Sequence, residues 1–178
     1  MDSSSGINSR DYSIEKWFIQ RMAMHLGVFQ GKTVAGLLTY GGNASIVFPL
    51  GGYSSNSEFI RRLYDAPIMG GVRQTDRALD TAAALLLRSR STLPKAVVLI
   101  TAGDQNTAPG TIPLEEAARP LRQLGAWVYV ITVGRMDVKE LEKVMIRPTD
   151  MFLASSFSGL YGFVSPVGTY VANTSGKK

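Results

Sequence analysis

The sequence contains no cysteine and a single histidine, His25. The first absence excludes a disulfide framework, a thiol nucleophile and any cysteine-based zinc or iron–sulfur centre. The second leaves no histidine pair to hold a metal, and His25, on a helical stretch with Met22 and Met24, reads as a packing or surface residue. No apolar run approaches the roughly 18 to 20 residues needed to cross a bilayer. The opening MDSSSGINSRD also lacks the basic, apolar and small-residue succession of a secretory signal. An excised fragment would lack one too, so this does not fix the compartment. The glycine-rich pieces GGN, GGY and GGV do not give the G-x-G-x-x-G spacing of a dinucleotide site, and no G-x-S-x-G or Ser–His–Asp arrangement supplies a nucleophile with its base.

With 178 residues and 45% hydrophobic content, the chain has the size of one domain and enough apolar material for a real core. Its net charge of +5 permits acidic partners without demanding them. The basic residues are scattered (Arg61 and Arg62, Arg88 and Arg90, Arg119 and Arg122, with Lys177 and Lys178 at the tail), as on solvated helix faces, and do not suggest nucleic acid.

The stretch LPKAVVLITAGDQN, Leu93 to Asn106, is the most informative. An apolar strand runs into a polar glycine turn, the place where an open α/β sheet holds its ligand. The rest alternates in kind. SIEKWFIQRMAMHL reads as a helix capped by Ser13, with Ile14, Trp17, Phe18 and Met22 facing inward. Val34–Thr39 and Ser45–Phe48 form a hairpin about Gly41–Asn43. SNSEFIRRLYDA and TDRALDTAAALLLRS are helices, the second with Ala78, Leu79, Ala82 and Leu86 inward. Ala96–Thr101 is an apolar strand, and LEEAARPLRQL a helix in which Pro120 sits in a first turn or makes a kink. Trp127–Val133 is a strand, VKELEKVM a helix, MFLA a short strand and SFSGLYGF a last helical piece. Continuous apolar strands between amphipathic helices imply an α/β, Rossmann-like, doubly wound fold: a mainly parallel central sheet with one antiparallel edge strand and helices on both faces.

The order DSSSGI, GLLTYGGNASIVFPL, GGVRQTDRALDTAAALL, AVVLITAGDQN, AARPLRQLGAWVYVITVG, RPTDMFLASSFSGL resembles a von Willebrand factor type A domain of the extracellular-matrix kind found in collagen VI and matrilins. The resemblance covers residues 1–163 and leaves 164–178 as a C-terminal extension, expected to pack on the surface through Val164, Val167, Tyr170 and Val171. It implies a metal-ion-dependent adhesion site and a module that binds proteins, matrix components such as collagens among them, and catalyses nothing. It also implies secretion to the extracellular matrix as one part of a larger multidomain protein. Two other readings stay open: a Rossmann-like ligand- or nucleotide-binding domain of an enzyme, and an intracellular, cytoplasmic scaffold domain of the same fold.

Carried over by position, the adhesion site departs from its family. The first loop reads Asp-x-Ser-x-Ser in the family; here Asp2 and Ser4 stand, and Gly6 replaces the second serine. In the second loop Arg73 takes the threonine ligand's place, unless the register slips and Thr75 serves. In the third, Ala102 replaces the aspartate of Thr-Asp-Gly, with Asp104 two residues further on. A hard dication needs several oxygens, typically with one or two carboxylates. A guanidinium about 4 Å away would oppose it by roughly twice the 4 kcal/mol of a unit-charge pair at an effective dielectric of 20. No cofactor is therefore expected, with a bound magnesium or manganese ion left as the less favoured alternative. Arg73 either pairs with Asp2, forming the fork-to-carboxylate match that guanidinium favours, or points to solvent. Partner contacts are expected from Arg73, Gln74, Asp104, Gln105 and Asn106 at the strand ends. Asn43-Ala44-Ser45 and Asn173-Thr174-Ser175 fit glycosylation sequons on loops. A further departure lies at the start: the family's central strand precedes the first-loop aspartate, yet only Met1 stands before Asp2, so that strand is missing from this sequence.

Overall fold

The computed structural model describes residues 1–89, 92–107 and 109–174; Arg90, Ser175, Lys177 and Lys178 lie outside them. The first helix, α1 (Ser9–His25), starts four residues earlier than the sequence suggests. Asn8, not Ser13, caps it: the Asn8 side chain accepts the Asp11 N–H at 2.9 Å and donates to the Asp11 carboxylate at 2.7 Å. Ser13 lies inside the helix and donates back to the Ser9 carbonyl. The hairpin forms as expected from β1 (Leu37–Tyr40) and β2 (Ala44–Phe48). The helices α2 (Asn56–Asp65) and α3 (Thr75–Arg88) follow, and all four inward residues read for α3 are buried.

Next, β3 (Ala96–Thr101) and β4 (Trp127–Val133) pair in parallel from Ala96 opposite Trp127 to Thr101 opposite Thr132. Between them the helical stretch breaks at Ala118 into α4 (Leu114–Ala117) and α5 (Arg119–Gln123), with Pro120 in the first turn of α5, where its missing N–H costs nothing. A short α6 (Lys139–Glu142) leads to β5 (Met151–Ala154), parallel to β4, and then to α7 (Leu160–Thr174). The boundary read at residue 163 falls inside α7, which buries Val167 and Val171 against α1 and the sheet.

The strand β4 explains why periodicity was absent from its sequence. Val128 and Val130 enter a core with Leu99, Leu79 and Leu121 under α3 to α6, while Tyr129, Ile131 and Val133 enter another with Phe18, Met22 and Val167 under α1 and α7. A strand covered on both faces must be apolar at every position. A third cluster, with Tyr12, Phe48, Phe59 and Leu63, sits beneath α2 and the hairpin.

Among the described residues the strands form two hydrogen-bonded groups, β1–β2 and β3–β4–β5, with no ladder between β1 and β3. Residues 1–3 run parallel to the end of β1: the Tyr40 N–H donates to the Met1 carbonyl and the Ser3 N–H to the Tyr40 carbonyl. The buried Tyr40 hydroxyl crosses to the carboxyl end of β3 and donates to the Ile100 carbonyl at 2.9 Å. Leu99, buried on the inner face of β3, cannot ionise a replacement without an unpaired interior charge. Leu99→Asp should therefore show no cooperative urea transition by circular dichroism; a soluble, cooperatively unfolding variant would mean the sheet is misplaced.

Candidate functional site

Three loops meet above the carboxyl end of β3: residues 2–6 ahead of α1, 70–74 ahead of α3 and 102–106 after β3. Backbone bonds draw the first two together. The Gly70 N–H donates to the Ser3 carbonyl at 2.8 Å and the Ser5 N–H to the Gly71 carbonyl at 3.0 Å. Gly71 has φ 75°, and a side chain there would strike the Gly42 backbone of the hairpin turn, so glycine alone lets these loops close.

Asp2 is wholly buried at their junction. Its Oδ1 accepts the Ser4 N–H at 3.0 Å, and its Oδ2 accepts the Ala102 N–H at 3.0 Å and Arg73 Nε at 2.6 Å. Of the two arrangements open for Arg73, the structure shows the pair with Asp2, and the arginine side chain is only 12% exposed. The replacements fit together. A side chain at Gly103 would run into Nη1 of Arg73, and one at Gly6 would lie 3.4 Å from Nη2. Ala102, where an acid was expected, offers its backbone N–H to Asp2.

This donor set does not suit a hard cation. Both Asp2 oxygens are taken by N–H donors and a guanidinium, and the described residues contain no cluster of His, Cys, Asp or Glu fit to hold a metal. Asp104 does not supply the missing acid, because its carboxylate turns away to accept the Asp137 N–H. Thr75 is buried at the start of α3. The Ser4 hydroxyl is buried with no hydrogen-bond partner among the described residues.

The residues read as partner contacts divide. Arg73, Asp104 and Asn106 reach the surface of one rim, where the Asn106 side chain accepts the Arg73 N–H at 2.9 Å and the Arg73 Nη1 lies 3.5 Å from the Asp104 carbonyl. Gln74 is buried, contrary to its reading as a contact residue. Gln105 is tied inward, accepting the Asp76 N–H and donating to the Ile112 carbonyl. Asn43 is exposed at the hairpin turn; Asn173 is exposed on the last turn of α7, not on a loop.

Sequence reasoning passed over Glu15. It is fully buried on α1, and its Oε1 accepts the Asp2 N–H at 2.8 Å while Oε2 has no partner. The signal was present, since Tyr12, Glu15, Phe18 and Met22 share the buried stripe at helical spacing. Burial, with a smaller push from Asp2 and partial relief from the Met1 ammonium and Lys16, raises its pKa to about 8.

A family model described as the von Willebrand factor type A domain matches residues 1–165. The chain is 28% identical over 159 residues to the collagen alpha-4(VI) chain of Mus musculus, covering 86% of this chain and 7% of that protein. It is 25% identical over 174 residues to matrilin-2 of Mus musculus, covering 93% of this chain and 18% of that one. It thus spans less than a fifth of either relative. Proximal thread matrix protein 1 from the mussel byssus superposes with a TM-score of 0.87 at 20% identity, over 97% of this chain and 46% of that one. The same mussel protein, solved with a zinc-occupied adhesion motif, superposes with a TM-score of 0.86 at 21% identity, over the same shares of each chain. At these identities the structural likeness shows the fold alone.

Two outcomes follow from the buried charges. Arg73→Ala strands the Asp2 carboxylate, so it should cost about 3 to 5 kcal/mol in urea unfolding, and adding Asp2→Asn should restore part of the loss; additive losses would mean the two residues are not coupled. For Glu15, a carboxyl pKa raised on folding gives stability that is complete below about pH 4.5 and declines as pH rises towards 8. The Met1 ammonium, lowered chiefly by burial, acts in the opposite direction, so the comparison is between variants. Glu15→Gln should gain on the wild type between pH 5 and pH 8.5 by an amount bounded at about 5 kcal/mol; parallel stability curves would exclude a buried titration there.

Proposed function

Because the chain belongs to the von Willebrand factor type A family, we propose that it is a non-enzymatic protein-interaction module of an extracellular-matrix or cell-adhesion protein, one unit of a larger secreted chain, and that it binds its partner without a divalent cation. The observation that carries the metal independence is the 2.6 Å contact of Arg73 Nε with Asp2, which sets a fixed positive charge where the family's ion would bridge domain and partner. A side-chain cation cannot be removed by a chelator, and its range is set by salt screening over about 8 to 10 Å.

The interaction reading is supported by kinship with collagen VI chains and matrilin-2 over most of this chain. Matrix components, collagens among them, are accordingly the partners to try first. The surroundings of the site favour binding over catalysis. The Ser4 hydroxyl has no hydrogen-bond partner among the described residues, and the His25 ring lies 3.2 Å from the Thr169 hydroxyl between α1 and α7. Among the described residues, no helix is long and apolar enough to cross a membrane.

Thermal melts should show no rise in midpoint on adding millimolar magnesium or manganese, since only an ion that binds the native state stabilises it by mass action. Retention of the domain on a collagen-coated surface should persist in chelator and weaken along a sodium chloride series. A saturable magnesium-dependent rise in midpoint, or retention abolished by chelator, would overturn the metal-free mechanism.

A further inference from the structure

We infer that Asn43 carries an N-linked oligosaccharide and that this glycan covers the free edge of the β1–β2 hairpin. The edge follows from the backbone. Tyr40 turns its N–H and carbonyl away from β2, towards Met1 and Ser3, and the Leu38 carbonyl likewise accepts the Met1 ammonium. Directly opposed residues of an antiparallel pair share this alternation, so Ala44 opposite Tyr40, and Ile46 opposite Leu38, turn their own N–H and carbonyl groups outward from β2. Among the described residues no further strand pairs with them. Ile46 is 39% exposed beside them. An open row of donors and acceptors with an apolar side chain is a template for pairing with another chain. Charge or proline blunts such an edge in many proteins, yet the strand ASIVF holds neither. Arg62 answers the Val47 carbonyl at the far end, which leaves the turn end to be covered by something else.

The acceptor sits at that turn end. Asn43 and Ser45 complete the triplet Asn43-Ala44-Ser45, and both are exposed, with side chains that make no hydrogen bond among the described residues. In an extended chain residues two apart project to the same side, which sets the amide beside the hydroxyl that an oligosaccharyl transferase requires. The second triplet lacks this arrangement. Asn173 stands on the last turn of α7, where residues two apart do not face each other, and the Thr174 hydroxyl within the triplet donates to the Tyr170 carbonyl. The hairpin turn is also fixed in place, since the Gly42 N–H donates to the Gly70 carbonyl at 2.9 Å. A glycan on Asn43 thus stands at a set position next to Ala44 and Ile46, and its bulk and hydration deny the edge to a second chain. Attachment joins Asn43 Nδ2 to the anomeric carbon of an oligosaccharide carried on a lipid diphosphate. The carbon–oxygen bond to the diphosphate breaks, the diphosphate leaves with the bonding electrons, and the amide proton passes to the transferase. The inference rests on the secreted reading proposed above and adds a modification with a physical role.

The full chain is expressed in mammalian cells behind a cleavable secretion signal, so that the result judges the site and not the native compartment. Enzymatic release of N-glycans in ¹⁸O water should convert Asn43 to labelled aspartate in the peptide mass spectrum. The gel shift of one glycan should be lost in Asn43→Gln and in Ser45→Ala and kept in Ser45→Thr. Unmodified Asn43 in the secreted wild type, or label at Asn173 alone, would overturn the site. The covering role is read by sedimentation velocity. Glycosylated wild type should remain monomeric over a concentration series in which Asn43→Gln shifts to larger species, and a lysine on the bare edge, Ile46→Lys in the Asn43→Gln chain, should restore the monomer. A glycan-free chain that stays monomeric throughout, or larger species that Ile46→Lys does not disperse, would overturn the shielding of β2. Neither failure touches the chelator and salt behaviour of surface retention, by which the interaction reading is judged separately.

Discussion

The ion pair between Asp2 and Arg73 is the contact on which the top of this domain depends. Asp2 has no access to solvent, and a carboxylate in that position is tolerable only if its charge and its lone pairs are answered. Two backbone N–H groups and one guanidinium answer them, each from a different loop. The pair therefore fixes the relative placement of segments far apart in the chain: the first loop, the approach to α3 and the turn after β3. Its energy is less informative than its geometry. Buried ion pairs gain little over apolar packing, yet removing one partner is costly, so the contact specifies an arrangement more than it stabilises one.

The second constraint lies just below. Among the described residues β1 and β3 share no ladder, and the join is made by side chains and by residues 1–3. Tyr40 crosses from β1 to the Ile100 carbonyl, and Asp2, paired by its backbone with β1, accepts the Ala102 N–H beyond the end of β3. Glu15 sits against this join. Burial keeps its carboxyl protonated well above the usual carboxylate range, while its Oε1 holds the Asp2 N–H. The first loop is thus held from below by the buried Glu15 carboxyl and from above by the Arg73 guanidinium.

What could be read from the sequence follows from how many faces each element buries. The strands β3 and β4 were legible to the residue because both of their faces are covered, which leaves an unbroken apolar run. The helix α3 was legible because its alanines and leucines keep one stripe. The helix α7 was not recognised beyond residue 163, although Leu160, Val164, Val167 and Val171 follow helical spacing, because Gly162, Pro166 and Gly168 each argue against a helix locally. Tertiary packing of that stripe on α1 outweighed them. The α1 cap was assigned to Ser13 because the apolar stripe of Ile14, Trp17 and Phe18 begins just after it, whereas three polar residues, Ser9, Arg10 and Asp11, follow Asn8. In the site, Arg73 followed from charge, but its choice of Asp2 over solvent is set by the fold, which brings two loops far apart in sequence together. The inward turn of Gln74 and Gln105 had no sequence signal, since an amide side chain serves equally in a surface contact and as a loop tie.

The departures from the family pattern are physically linked, which bears on how the site could have arisen. An arginine at position 73 in a loop built for an ion would meet a serine side chain at position 6 and a carboxylate at position 102. The first would crowd the guanidinium where Gly6 leaves room beside Nη2, and the second would compete with Asp2 for it. With Ala102 the competing charge is gone, and the backbone N–H of that residue turns to Asp2. Each replacement thus gains its value only in the presence of the others, the condition under which substitutions cease to be additive. Undoing one alone would not return the pocket to metal. Removing the arginine leaves Asp2 as its only carboxylate, and restoring the acid at 102 leaves the guanidinium over both. On the metal-free reading proposed above, the loop set is one exchanged unit, a covalently held cation in place of a diffusible one, and it trades a contact that depends on ion supply for one that depends on ionic strength.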